Sequence, residues 1–194
     1  MEKLIGFEKI NTAVFISGTG SNFKNLIEFS KTKKSKIDIK IVISNNSKAK
    51  GLNFAKRFKI QKKIINYSNI NKAENQILKY LNKNKIHLIC LAGFMKVLTS
   101  KFIKKFKGKI LNIHPSLLPK YKGLNTHQRV LENNEKYSGC TVHYVNTKLD
   151  GGKIILQKKI KIYKNDTPKS LAKRILKQEH ILYKKAINKV SSNF

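Results

Sequence analysis

The chain has 194 residues, is 40% hydrophobic, and carries 42 Lys and Arg against 10 Asp and Glu, a formal charge of +32. That length and apolar content exclude a disordered polymer and suit one compact domain able to bury a core. Lysines run from Lys3 to Lys189 while Arg57, Arg129 and Arg174 are the only arginines, so the charge reads as compositional drift over a solvated surface. The alternative, a polyanion-binding site, would favour arginine, the preferred reader of phosphates and base edges; no specific nucleic-acid partner is expected.

Residues 10–16 read as a buried first strand, followed by small polar residues and glycines from Ser17 to Asn22. A helix fits 23–33, with Phe23, Leu26, Ile27 and Ser30 on one face. Ile37–Ser44 is a second strand, and Ser47 is a plausible N-cap for a helix over Lys48–Phe58. A short strand fits Ile60–Ile65. The next helix, 71–83, spaces Ala73, Ile77, Leu78 and Leu81 for burial. His87–Leu91 is a continuous apolar strand after its first residue, which implies that both of its faces are covered, as in a parallel sheet. Val97–Phe106 fits a short helix and Lys109–Ile113 a further strand. The alternation argues an α/β class with crossover helices.

The rhythm changes after residue 114. His114–Asn125 reads as a loop with Pro115, Pro119 and Gly123, followed by a short helix over Thr126–Asn133. Two strand-like runs, Gly139–Val145 and Lys153–Ile160, flank a turn at Asp150-Gly151-Gly152. Asp166 or Thr167 caps a last helix with Pro168 in its first turn, and Leu171, Ile175, Leu176, His180, Ile181 and Tyr183 lead it toward Ile187. Cys90 and Cys140 make neither a disulfide framework nor a metal-binding spacing, which suits a reducing, cytoplasmic setting and no metal. Glu2 and Glu8, with no long apolar stretch, argue against a signal peptide. No run approaches the roughly 18 apolar residues of a membrane span.

Three stretches carry chemistry. Gly18-Thr19-Gly20-Ser21-Asn22 sits between the first strand and the first helix, where backbone N–H groups and the helix field suit a phosphate; an ordinary tight turn is the alternative. Asn112 and His114 lie at the carboxyl end of a strand and point to one side because the strand period is two. They are either a carbonyl polariser and proton handler or a buried amide and imidazole satisfied by backbone. Leu149-Asp150-Gly151-Gly152 is first of all a β-turn, and only the fold can bring Asp150 to His114.

At these residues the sequence resembles the folate-dependent formyltransferases, and within them the phosphoribosylglycinamide formyltransferases of purine synthesis. The stretches are Ser17–Asn22, Leu91-Ala92-Gly93-Phe94-Met95, Leu111–Pro119 with the Lys-Tyr-x-Gly that follows, Leu149–Gly152 and Gln178-Glu179-His180, in order from about Asn11 to Tyr183. The resemblance implies a Rossmann-like, mostly parallel sheet flanked by helices and extended by a smaller C-terminal part. It implies one domain over 1–190, with a phosphate-binding half at 10–113 and a folate-completing half at 114–190. Asn112, His114 and Asp150 are its implied catalytic trio. Gly18, Thr19, Gly20, Ser21 and Asn22 would hold the substrate phosphate, Gly93, Met95 and Pro115 would line the channel, and Glu179 would meet the ribose or glycinamide. Lys96, Val97, Leu98, Asn112, His143 and Asp150 would form the site of 10-formyltetrahydrofolate, a co-substrate. Asp150 is expected to keep His114 charged.

Two positions depart from the family pattern: Lys96 stands where an arginine is usual, and Asn125 replaces a loop histidine, leaving His127. A formyltetrahydrofolate hydrolase would add an N-terminal regulatory domain, and a transfer-RNA formyltransferase an RNA-contacting domain; the chain is expected to carry neither. A non-enzymatic nucleic-acid binder leaves the Asn-x-His placement unexplained. The expected partners are therefore the two small substrates, with no membrane, and the chain is expected to be a monomer or a homodimer.

Overall fold

A computed structural model describes residues 9–192; the reading of Glu2 and Glu8 lies outside them. The elements run β1 (Ile10–Ile16), α1 (Ser21–Ser30), β2 (Ile37–Ser44), α2 (Leu52–Arg57), β3 (Gln61–Ile64), α3 (Ile70–Lys83) and β4 (Leu88–Leu91). There follow α4 (Ser100–Lys105), β5 (Lys109–His114), α5 (Thr126–Glu132), β6 (Tyr137–Tyr144), β7 (Ile154–Lys161) and α6 (Pro168–Ser191).

One seven-stranded sheet holds them in the order β3-β2-β1-β4-β5-β6-β7. The pairs from β3 to β5 are parallel, and β5–β6 and β6–β7 are antiparallel. The expected α/β class and C-terminal extension are thus present, joined through β5 and β6.

Successive side chains alternate between the two faces of a strand, so β1 and β4 feed two cores. Val14, Ile16, Leu88 and Cys90 pack with Phe23, Leu26 and Ile27 of α1 and with Leu171, Ile175 and Tyr183 of α6. Ala13, Phe15, Ile89 and Leu91 pack with Ala73, Ile77 and Leu81 of α3 and with Phe102 of α4. All four residues of β4 are buried, as its unbroken apolar run required. Tyr183 reaches through the first core to aim its hydroxyl at the carbonyls of Leu91 and Leu111, at 3.0 and 3.2 Å. The last helix is thereby tied to the two strands that end at the site.

Several boundaries move, each for a local reason. Ser47 does not cap a helix: the Asn46 side chain accepts from Lys48 N–H at 2.9 Å, and Gly51 N–H donates to the Gly18 carbonyl at 3.0 Å. These bonds hold 47–51 in turns against the first loop, and α2 starts only at Leu52. The helix expected from Val97 starts at Ser100, because Thr99 is its N-cap, accepting from Phe102 N–H. Of the two candidate caps for α6, Thr167 takes the role, with Ser170 completing a capping box. Ile181 is 47% exposed; the buried stripe passes through Glu179, Leu182 and Tyr183 instead.

No described lysine is buried, as expected where few acids are present to pair with them. Cys90 and Cys140 are both fully buried, and burial pushes each thiol up to about 12. Among the described residues no helix is long and apolar enough to cross a membrane.

Candidate functional site

The site lies along the carboxyl ends of β1, β4 and β5, where open α/β sheets place ligands. Its first part is built from small residues. Gly20 closes the β1–α1 turn in the left-handed region at φ 74°, and a Cβ there would lie 2.5 Å from the Gly51 Cα. Only glycine satisfies both demands. The sequence placed Ser21 and Asn22 in the loop, but they form the first turn of α1, which has no side-chain cap. Its leading N–H groups therefore lack helical acceptors. They border a cavity of about 240 Å³ lined by Ser17–Asn22 with Ala92, Gly93 and Met95. Ser17 opens the stretch read from the sequence but was given no role of its own; its hydroxyl donates to Asn45 Oδ1 at 2.5 Å and accepts from Met95 N–H at 2.7 Å, tying the turn to the facing wall.

The Asn22 side chain is turned from the expected phosphate role, while its backbone N–H stays among the leading N–H groups of α1. Its amide donates to Glu179 Oε2 at 2.7 Å, while its Oδ1 is buried without a protein partner. An orphaned acceptor repels a phosphate and calls for a donor such as a hydroxyl. Glu179, 7% exposed, has its carboxyl pushed upward by burial, against the lowering effect of the Asn22 amide.

The second part is built from polar side chains. On the face that β1 and β4 pack against α3 and α4, the apolar row of β5 ends at Ile110 and continues as Asn112 and His114. The antiparallel register sets His143 opposite Asn112 and Thr141 opposite His114. The core thus passes into a polar patch beyond its helical cover.

Asp150 reaches this patch from the β6–β7 turn, where Gly151 N–H bonds the Lys148 carbonyl at 3.1 Å. Asp150 itself takes the left-handed conformation, φ 46°, one that aspartate tolerates better than most side chains. Gly152 is needed for close approach, since a Cβ there would lie 1.7 Å from the Tyr144 carbonyl oxygen. The Asp150 carboxylate lies 3.5 Å from His114 Nδ1, 3.6 Å from His143 Nε2 and 3.5 Å from the Asn112 amide, and accepts from Gly123 N–H at 2.9 Å. The predicted trio is therefore brought together, and His143 joins it.

The hydrogen bonds fix both tautomers. His114 Nε2 is 2.8 Å from the Tyr121 carbonyl, an acceptor only, so this nitrogen carries hydrogen. Nδ1 is then bare in neutral His114. His143 Nδ1 donates to the Tyr144 carbonyl at 2.8 Å, which leaves Nε2 to accept from the Asn112 amide at 3.2 Å.

Burial works against the expectation that Asp150 keeps His114 charged. Burial lowers the His114 pKa below its usual value, and the Tyr121 bond and the Asp150 charge raise it by less. Asp150 is also buried, which raises its pKa, but contact with His143 at 3.6 Å, the Gly123 N–H bond and the charge that either imidazole carries when protonated bring it below the ordinary aspartate value. The pair is an imidazole and a carboxylate 3.5 Å apart, with burial favouring the uncharged imidazole and the carboxylate favouring the charged one.

The remaining expected residues divide. Met95 and Val97 are 61% and 66% exposed, and Lys96 is exposed beside them. Leu98 is buried with Phe102 in the second core, so its side chain belongs to the packing rather than to the pocket surface. Pro115 leads out of β5 and is not among the residues lining the cavity that holds Gly93 and Met95.

Residues 10–187 match a family model described as formyl transferase. A phosphoribosylglycinamide formyltransferase of Haemophilus influenzae is 44% identical over 174 residues, covering 88% of this chain and 82% of its own. The trifunctional purine biosynthetic protein adenosine-3 of Homo sapiens is 42% identical over 188 residues, 95% of this chain. The chain spans only 19% of that relative's length, and 14% of the related insect protein from Chironomus tentans. The crystal structure of a phosphoribosylglycinamide formyltransferase from Anaplasma phagocytophilum superposes with a TM-score of 0.90 at 39% identity, covering 96% of this chain and 88% of that one.

Proposed function

The chain belongs to the formyl transferase family, and from that premise we infer that it is a phosphoribosylglycinamide formyltransferase of purine biosynthesis. It moves the formyl group of 10-formyltetrahydrofolate to the amine of 5-phosphoribosylglycinamide. The observation that carries this reading is the meeting of Asn112, His114 and Asp150 at the end of β5, beside an uncapped helix start suited to phosphate.

The chain's residues fit the two substrates. The leading N–H groups of α1, with the Thr19 and Ser21 hydroxyls, suit the phosphate. The orphaned Asn22 Oδ1 and the neighbouring Glu179 suit ribose hydroxyls. The exposed side chains of Leu124 and Leu149, next to Gly123 and Asp150, offer apolar edges near the patch for a planar folate ring, and those of Met95 and Val97 are exposed after β4. Lys96 is available as a point charge for a folate carboxylate, with less directional demand than an arginine fork. The two halves of the chain, joined in one sheet, act as one domain, and the setting is cytoplasmic.

In the transfer, the amine nitrogen bonds to the formyl carbon, the bond from that carbon to the folate nitrogen breaks, and one proton passes from the amine to the folate. Negative charge grows on the formyl oxygen. The Asn112 N–H that faces Asp150 at 3.5 Å is at the edge of bonding range and free to turn to that oxygen. His114 enters neutral and takes the amine's proton on Nδ1, directly or through a water. The imidazolium is stabilised by Asp150 and then returns the proton to the departing folate nitrogen. Alignment of two bound substrates supplies much of the remaining acceleration. Neither buried cysteine touches this machinery.

The test is to supply formyltetrahydrofolate with and without the ribonucleotide and to follow tetrahydrofolate release. Release that requires the ribonucleotide and yields its N-formyl product is expected. Equal release without it would replace this reading with hydrolysis.

A further inference from the structure

The catalytic pair is held at two backbone atoms of one loop. His114 Nε2 bonds the Tyr121 carbonyl at 2.8 Å, and Asp150 accepts the Gly123 N–H at 2.9 Å. The orientation of both groups therefore depends on the path of residues 121–124. That path is not one the backbone adopts freely, since Tyr121 and Gly123 are both left-handed, at φ 55° and 76°, and a non-glycine residue there carries strain that its surroundings must hold.

The restraint comes from α5. Arg129 Nη1 donates to the Lys122 carbonyl at 2.7 Å and to the Leu124 carbonyl at 3.3 Å, the two carbonyls that flank Gly123. Its guanidinium also lies 5.4 Å from the centre of the Tyr121 ring, within the range of a cation–π contact. The Tyr121 hydroxyl donates to Glu135 Oε1 at 2.9 Å just beyond the same helix. One side chain thus grips the loop on both sides of the amide that holds Asp150, and covers the residue whose carbonyl holds His114.

We propose that Arg129 is a positioning residue for formyl transfer, clamping the 121–124 backbone so that Tyr121 and Gly123 present His114 and Asp150 in register. Arg129 does not touch the reacting atoms. The proposal rests on the formyl-transfer reading of the site, and on the loop geometry independently of it. It also singles out one of the chain's few arginines from its lysine-rich surface.

The α1 end of the cleft lies outside the clamp's reach, and this supplies the discriminating readout. In Arg129→Ala, kcat should fall about tenfold while the KM for the ribonucleotide stays within twofold. Backbone hydrogen exchange in peptides covering 115–125 should quicken, while that of β1 and β4 stays unchanged and reports an intact sheet. Arg129→Lys keeps one charged donor nitrogen on a shorter reach, so it should fall between the wild type and Arg129→Ala in both readouts. The proposal is overturned if kcat stays within threefold of wild type in Arg129→Ala, or if the loop's exchange does not change. It is overturned equally if the loss appears mainly in the KM for the ribonucleotide. Absence of transfer in the wild type with a slow-exchanging, Arg129-dependent loop would break the functional reading and leave the clamp standing.

Discussion

The two ends of the cleft are made in opposite ways. The α1 end is made of backbone and small side chains drawn mainly from one contiguous stretch, Ser17–Asn22, with Gly93 and Met95 as the facing wall. The β5 end is made of titratable side chains from β5, β6, the β6–β7 turn and the loop after Pro115. A turn with free N–H groups is ready to bind before any ligand arrives, because its donors are fixed by the chain's own path. The polar patch must instead hold an imidazole beside a carboxylate, placed to take and return a proton. The first arrangement suits binding and the second suits chemistry, so substitutions at the two ends should separate in kcat and KM.

The largest effect is expected at Asp150. Asp150→Asn keeps the shape but removes the charge that stabilises the His114 imidazolium, and kcat should fall by roughly a hundredfold or more. Steady-state kinetics on the purified variant check this, and turnover near wild type would remove Asp150 from the machinery. A smaller effect is expected at Glu179. Glu179→Gln keeps the bond to Asn22 possible but weakens acceptance of ligand hydroxyls, so the KM for the ribonucleotide should rise about tenfold with kcat within threefold. A fall in kcat alone would place Glu179 with the chemistry.

The smallest effect is on stability and follows from burial. The pKa values of His114, His127 and His180 are each lowered, chiefly by burial. Each folded histidine therefore binds protons less readily than its unfolded counterpart, which titrates near about 6.5. Their contribution to stability is complete above that pH and is lost as pH falls below it toward the folded values. Asp150, with its pKa lowered by its partners after the opposing effect of burial, acts in the same direction at lower pH: its contribution is present above the ordinary aspartate value and lost as pH falls through the folded one. Glu179 opposes them, since its raised pKa makes acid favourable there. Thermal melting from pH 8 to 5 should show a midpoint that declines on acidification. A flat or rising midpoint would contradict the reading that the three buried histidines outweigh Glu179.

The same contrast explains what the sequence made legible. Ser17–Asn22 was readable because its function is local: glycine, small polar residues and a strand-to-helix junction lie side by side. Asn112 and His114 were readable as a same-side pair because strand alternation is local too. The link from Asp150 to His114 was not, because it depends on the antiparallel return of β6 and on a left-handed turn. The burial that opposes charging of His114 was hidden for a related reason. A neighbouring carboxylate can be guessed from motifs, whereas the depth of burial that outweighs it is a property of the packed sheet. The Asn22 side chain was grouped with the phosphate turn because its partner, Glu179, lies 157 residues away. Ser47 and Val97 failed as helix starts because side-chain bonds from Asn46 and Thr99 settled the local path. Arg129 left no mark in the pattern at all, since its targets are backbone carbonyls.

The separation of the two ends is tested most directly by crossing them. Asp150 and Glu179 share no hydrogen-bond partner among the described residues, whereas Asp150 and His114 face each other at 3.5 Å. The measurement is kcat/KM for the ribonucleotide in two double-variant cycles, Asp150→Asn with Glu179→Gln and Asp150→Asn with His114→Ala. The first pair should be additive within about 0.5 kcal/mol, as for independent sites. The second should lose little more than either single variant, as for groups that act as a unit. Strong coupling between Asp150 and Glu179, or simple additivity between Asp150 and His114, would contradict the division of binding and chemistry between the two ends of the cleft.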